Sequence, residues 1–111
     1  MSESQSRPVQ NGGPIAVVGA GLIGRAWAIV FARAGYPVRL HDMDAATMTG
    51  SLGYIEARLH ELAGFGLLDD TPGEVLARIR CEPNLADALR DVVLVQENIR
   101  ETVEAKTAVF A

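Results

Sequence analysis

Six consecutive residues, Gly19-Ala20-Gly21-Leu22-Ile23-Gly24, carry the spacing Gly-x-Gly-x-x-Gly. They follow the apolar run Ile15-Ala16-Val17-Val18 and open a helix-like stretch, Leu22–Ala34. A β-branched strand, a glycine turn and a helix in immediate succession form a cradle for the pyrophosphate of a dinucleotide. Gly19 permits the tight turn, Gly21 lets the backbone approach the phosphates, and Gly24 lets the helix pack closely. Unpaired N–H groups and the positive end of the helix dipole then face the anion. Gly19, Ala20, Gly21, Leu22, Ile23 and Gly24 are therefore candidate cofactor-binding residues.

A carboxylate completes the pattern. Val38-Arg39-Leu40-His41-Asp42 reads as a second short strand ending in an acid, 18 residues past the third glycine. At about 20 residues an acid is placed to accept a hydrogen bond from the adenosine ribose. Asp42 is followed by Met43 and Asp44, with no arginine there to pair with a 2′-phosphate. A carboxylate repels that phosphate, so the residues point to NAD rather than NADP. The other groups that carry chemistry have no such context. His41 ends the second strand and His60 lies on the outer part of a long helix, neither with a positioned carboxylate partner. Both read as structural or solvated, and Cys81 as a small apolar residue at a strand end.

The elements that position these groups alternate. Gly35-Tyr36-Pro37 ends the first helix, whose expected buried stripe is Leu22, Ala26, Ile29, Val30 and Ala34. Arg25 and Arg33 lie outside that stripe, and Trp27 falls beside it, placed to cover the sheet edge. A longer helix runs from about Ala45 to Ala63, with Met48, Leu52, Ile55, Leu59 and Leu62 forming a narrow seam. Gly64-Phe65-Gly66 ends it. Thr71-Pro72-Gly73-Glu74 then combines a capping box with proline at the first helical position, opening a short helix to about Ile79. Ile79-Arg80-Cys81 is a third strand, Leu85–Leu89 a short helix, and Asp91–Val95 a buried-type fourth strand. Residues 96–101 form the loop at its carboxyl end, and 102–111 begin another helix. The fold class predicted is α/β, a Rossmann-type doubly wound parallel sheet with a helical pair between strands two and three.

The whole-chain numbers bound the partners. A chain of 111 residues with 49% hydrophobic and 22% charged residues suits one soluble domain. Ten basic residues against 14 acidic ones give a net charge of −4 without a basic block, which disfavours nucleic acid and anionic membranes. One cysteine allows no internal disulfide and fits a cytoplasmic setting. Residues 1–13 are polar, lack the apolar stretch of a signal peptide, and read as a disordered tail ahead of a domain over 14–111.

Ile15–Ala28, Val38–Asp42, the helical pair and Val92–Phe110 together resemble the NAD-binding domain of the 3-hydroxyacyl-CoA dehydrogenase family. The segments Gly-Leu-Ile-Gly-Arg-Ala-Trp-Ala and Val-Gln-Glu are most similar to the branch containing lambda-crystallin (L-gulonate 3-dehydrogenase) and the carnitine dehydrogenases. The resemblance implies hydride transfer between NAD and the 3-hydroxyl of an acyl-CoA or related hydroxy acid. It implies that Asp42 binds the adenosine ribose and that Glu101 and Lys106, in a Glu-x4-Lys pattern, lie at the cofactor. In the family the catalytic histidine, its glutamate partner and the helical substrate and dimerisation domain come later than the matched segment. The expectation is thus an incomplete NAD-binding domain, inactive alone, that forms a homo-oligomer or associates with the rest of its enzyme. The competing reading is a non-catalytic NAD-binding or structural module, with a flavin or methyl-donor domain a minor third.

Overall fold

The apolar run after Pro14 becomes β1 (Ile15–Val18), and strands alternate with helices from there in the computed structural model, which describes residues 13–98. The following elements are α1 (Leu22–Arg33), β2 (Val38–His41), α2 (Ala45–Gly64), α3 (Pro72–Leu76), β3 (Ile79–Cys81), α4 (Leu85–Leu89) and β4 (Leu94–Glu97). The four strands are all parallel, in the order β3-β2-β1-β4. The chain steps from β1 outward to β3 and then crosses back to place β4 on the other side of β1. That reversal is the topological switch point of a Rossmann-type sheet, and ligands of open α/β sheets bind outside the carboxyl ends of the strands there. Val18 lies opposite both His41 and Glu97. The next residue of each strand, Gly19, Asp42 and Asn98, therefore arrives at the same level of the sheet.

The central strands supply the core. Ile15, Val17, Val38 and Leu40 are buried and pack with Ala28, Ile29 and Ala32 of α1 and with Ile55, Leu59 and Val75 of the helical pair. The pair stands between β2 and β3 as expected. Asp44 caps α2 by accepting from the Ala46 amide, and α2 packs against α3 and α1. Its innermost line is Met48, Ser51, Ile55 and Leu59, with Leu52 and Leu62 at the margin of the core. Ser51 can take an inner position because its hydroxyl donates to the Met48 carbonyl at 2.6 Å. The capping box forms: Thr71 Oγ1 accepts from the Glu74 amide at 3.1 Å, and Glu74 accepts from the Thr71 amide at 2.9 Å. α3 stops at Leu76 rather than near Ile79, because the Arg78 carbonyl accepts from the Val38 amide at 2.8 Å and draws Ile79 into β3.

Two further expectations are corrected. Of the stripe expected on α1 only Ile29 is buried; the buried line is Gly24, Ala28, Ile29 and Ala32, while Leu22 is 65% and Val30 47% exposed. The helix rests so close to the sheet that mostly small side chains fit beneath it. The larger apolar residues turn to the flanks, where Leu22 and Ala26 line a cleft with Tyr54 and Leu62 of α2. Trp27 stacks on Phe31 with ring centroids 5.5 Å apart. The fourth strand also begins later than the apolar run suggests. Asp91 takes a left-handed turn (φ 59), the Val93 amide donates to the Pro14 carbonyl, and the ladder itself starts at Leu94. Leu94 and Val95 are 46% and 41% exposed, as expected of an edge strand rather than a fully buried one.

Candidate functional site

The glycine turn is built by contacts that leave no room for side chains at two of its three glycines. The Gly19 amide donates to the His41 carbonyl at 2.7 Å, and its φ of +100° lies where L side chains are strained. A Cβ on Gly19 would stand 2.7 Å from the Asn98 carbonyl oxygen, and one on Gly24 only 1.7 Å from the Gly19 carbonyl oxygen. Gly24 thus lets α1 press on the loop itself. Gly21 differs: a Cβ there meets nothing within 4 Å. It is the N-cap of α1, without a side chain to cap the helix, and the first intrahelical bond runs from the Arg25 amide to its carbonyl. The amides of Leu22, Ile23 and Gly24 come before that bond and have no partner within the helix. The open space over Gly21 lies where an anion would meet these donors.

Asp42 follows directly on β2 and is already held by two backbone groups. Its Oδ2 accepts from the Ala20 amide and its Oδ1 from the Asp44 amide, both at 2.8 Å. A carboxylate has about four acceptor sites, so each oxygen keeps one for a sugar hydroxyl. The acid is therefore oriented before any ligand arrives, and it ties the end of β2 to the glycine turn. Its neighbour Asp44 accepts from the Thr47 hydroxyl, the main reason its carboxyl is held below the ordinary 3.8; desolvation opposes this, and the Ala46 and Thr47 amides add to the lowering.

Asn98 belongs to the site although its residue type alone gives no hint of it. Its amide donates to the Val18 carbonyl at 2.8 Å, and its backbone forms the wall against which Gly19 turns. Its Nδ2 reaches the same Val18 oxygen at 3.3 Å and stands 3.4 Å from where a Gly24 Cβ would be. The signal that finds it is topological, since it follows the strand that flanks β1 at the switch point. Glu101 and Lys106 lie outside the described residues. His41 is buried, its Nδ1 2.8 Å from the Glu82 carbonyl, and His60 is exposed on α2; the backbone of His41 meets the glycine turn, but its imidazole is engaged at Glu82. Cys81 is partly buried, its thiol donating to the Met48 carbonyl. Among the described residues no group of acids, histidines and cysteines is arranged for a metal, and no helix is long and apolar enough to cross a membrane.

The turn, its free amides and the oriented carboxylate fit the pyrophosphate and adenosine ribose of a dinucleotide. Comparison with known proteins points the same way. Residues 14–111 match the model of the family described as 3-hydroxyacyl-CoA dehydrogenase, NAD binding domain. The chain is 37% identical over 101 residues to lambda-crystallin of Oryctolagus cuniculus, a match covering 89% of this chain and 32% of that protein. It is 37% identical over 94 residues to a probable 3-hydroxybutyryl-CoA dehydrogenase of Deinococcus radiodurans, covering 85% of this chain and 34% of the relative. Among solved structures, that of 3-hydroxybutyryl-CoA dehydrogenase from Escherichia coli K12 superposes with a TM-score of 0.76 at 34% identity. That match covers 91% of this chain and 21% of the other. The chain spans about a third of the length of the curated relatives it matches.

Proposed function

The chain belongs to the 3-hydroxyacyl-CoA dehydrogenase family and carries its NAD-binding domain, and from that premise we propose that it serves hydride transfer between NAD and the 3-hydroxyl of a 3-hydroxyacyl-CoA or a related 3-hydroxy acid. The observation that carries the reading is the Asp42 carboxylate, oriented beside the glycine turn by the Ala20 and Asp44 amides. In this reading the amides that open α1 hold the pyrophosphate, Gly19 and Gly24 shape the turn, and Asp42 holds the ribose hydroxyls. The family's Glu-x4-Lys pattern extends the proposal to Glu101 and Lys106 as cofactor-binding residues. Bound NAD supplies the hydride acceptor; the residues described here orient it.

Proton transfer at the substrate hydroxyl needs an acid–base group within hydrogen-bond reach. We assign that group to the part of the enzyme beyond the matched domain, because His41 is engaged with Glu82 and His60 lies away from the crevice. The 111 residues alone then bind NAD without turnover. Exposed Leu94 and Val95 on the edge strand support association with a second copy or with the rest of the enzyme. A place in the cytoplasm and in fatty-acid metabolism accords with this reading. A second reading, a non-catalytic or structural NAD-binding module, is favoured by the several relatives named lambda-crystallin.

Calorimetric titration of the full chain with NAD and with NADP tests the proposal. NAD binds, NADP binds at least about tenfold more weakly, and Asp42→Ala weakens NAD by about tenfold or more, the worth of one charge-assisted hydrogen bond. Equal binding of the two dinucleotides, or unchanged NAD affinity in Asp42→Ala, refutes it.

A further inference from the structure

Arg25 stands one turn into α1, half-buried and on the same helical face as Ala28, Ile29 and Ala32, and its guanidinium is spent on backbone rather than on an acid. Its Nε donates to the Ala20 carbonyl at 2.8 Å and its Nη2 to the Thr47 carbonyl at 3.2 Å. Among the described residues it makes no ion pair. The two acceptors belong to different segments: Ala20 sits in the glycine turn, and Thr47 in the first turn of α2, just after Asp42 and the cap Asp44. The guanidinium also lies over the Tyr54 ring, 5.1 Å from its centroid, with Arg58 5.3 Å from the same centroid. This cation–π contact adds a third hold on the guanidinium.

Ala20 is fully buried, and side chains from outside the turn hold both polar groups of its backbone. Asp42 takes its N–H and Arg25 its C=O. The chain Asp42–Ala20–Arg25–Thr47 is closed through the backbone of residues 42–47, where the Asp42 carboxylate also accepts from Asp44. It sets the separation between the donors that face the pyrophosphate and the carboxylate that faces the ribose. We infer that Arg25 is a positioning residue for the dinucleotide, holding the glycine turn and the start of α2 at the spacing the cofactor spans. This rests on the NAD-binding reading of the crevice.

The requirement is for two donors at fixed angles, not for positive charge. A lysine ammonium is a single point donor on a flexible stem, whereas guanidinium can address two carbonyls at once. Arg25→Lys therefore separates positioning from charge. In the full chain, Arg25→Ala and Arg25→Lys each weaken NAD about tenfold, as expected for about 1.4 kcal/mol from lost hydrogen bonds. Adenosine, which has the ribose but no pyrophosphate to register against it, changes by less than about twofold. Amide resonances of residues 19–21 and 47 shift in both variants, while those of Ile55 and Leu59 in the core stay in place, a pattern that general loss of stability would not give. If Arg25→Ala fails to fold, Arg25→Lys carries the test. Wild-type NAD affinity in Arg25→Lys, or equal losses for NAD and adenosine, overturns the inference. Asp42→Ala is measured alongside: if it weakens NAD while the Arg25 variants do not, only the role of Arg25 falls, and if it too is without effect the crevice reading falls with it.

Discussion

Gly24→Ala and Gly53→Ala add the same methyl group to a helix and should change stability in opposite directions. In a helix interior the substitution gains about 1 kcal/mol from the smaller conformational freedom of the unfolded chain. At Gly53, on the exposed side of α2, the new Cβ meets nothing within 4 Å. The full gain is available there, and the expected change is a stabilisation of about 0.5–1 kcal/mol. At Gly24 the same atom would lie 1.7 Å from the Gly19 carbonyl oxygen and 2.8 Å from its carbon. An ordinary carbon–oxygen contact is about 3.3 Å or more, so the loop or the helix must move by roughly 1.5 Å. Both neighbours are backbone, and Gly19 is backed by Asn98, so neither yields as a flexible side-chain tip would. Overpacking of this kind costs about 3 kcal/mol or more, which leaves a net loss of about 2 kcal/mol after the propensity gain. Urea unfolding reads both variants: with a slope near 1–3 kcal/mol per molar, the Gly24→Ala midpoint falls by about 1 M and that of Gly53→Ala rises. NAD titration reads the same displacement at the site, with an expected loss of about tenfold or more for Gly24→Ala. A Gly24→Ala protein with wild-type unfolding and wild-type NAD affinity would refute the account of the turn.

Other outcomes follow from the packing and the caps. Ile55→Ala should cost about 2–5 kcal/mol, because Ile55 is fully buried between α2 and the sheet; a loss under about 1 kcal/mol in urea unfolding would contradict that position. Asp44 should titrate below 3.8 by carboxyl NMR, and Thr47→Val, which removes the hydroxyl donor, should move the midpoint upward. Since the folded value is the lower one, the contribution of this cap is present above the unfolded value and disappears as pH falls through the folded one. An unchanged Asp44 midpoint in Thr47→Val would show that the hydroxyl is not the cause.

The glycine turn, Asp42, the capping box at Thr71 and the order of elements are legible in the sequence because each is a local signal, tied to a backbone requirement within a few residues. What was not legible depends on which faces meet. Hydrophobicity ranks Leu22 and Val30 above Gly24 and Ala32, yet distance to the sheet decides burial on α1, and closeness selects the small residues. The start of β4 is set by the Pro14–Val93 bond and the left-handed Asp91, neither of which an apolar run reveals. Asn98 and Arg25 escape for a related reason. Both make their main contacts with backbone carbonyls, and a carbonyl leaves no mark in the residue sequence.

The parallel register around β1 also orders events in time. Ile15 meets Val38 after a single helix, but meets Leu94 only after four helices and two strands have intervened. Closing the longer loop carries the larger entropic barrier, so β1 with α1 and β2 can assemble early while β4 docks late. On a ribosome the ribose-reading half of the crevice would emerge and take shape before the wall made by Asn98 has been synthesised. Until β4 docks, the buried strand β1 has one bare edge, and in that interval the nascent chain is most exposed to mispairing.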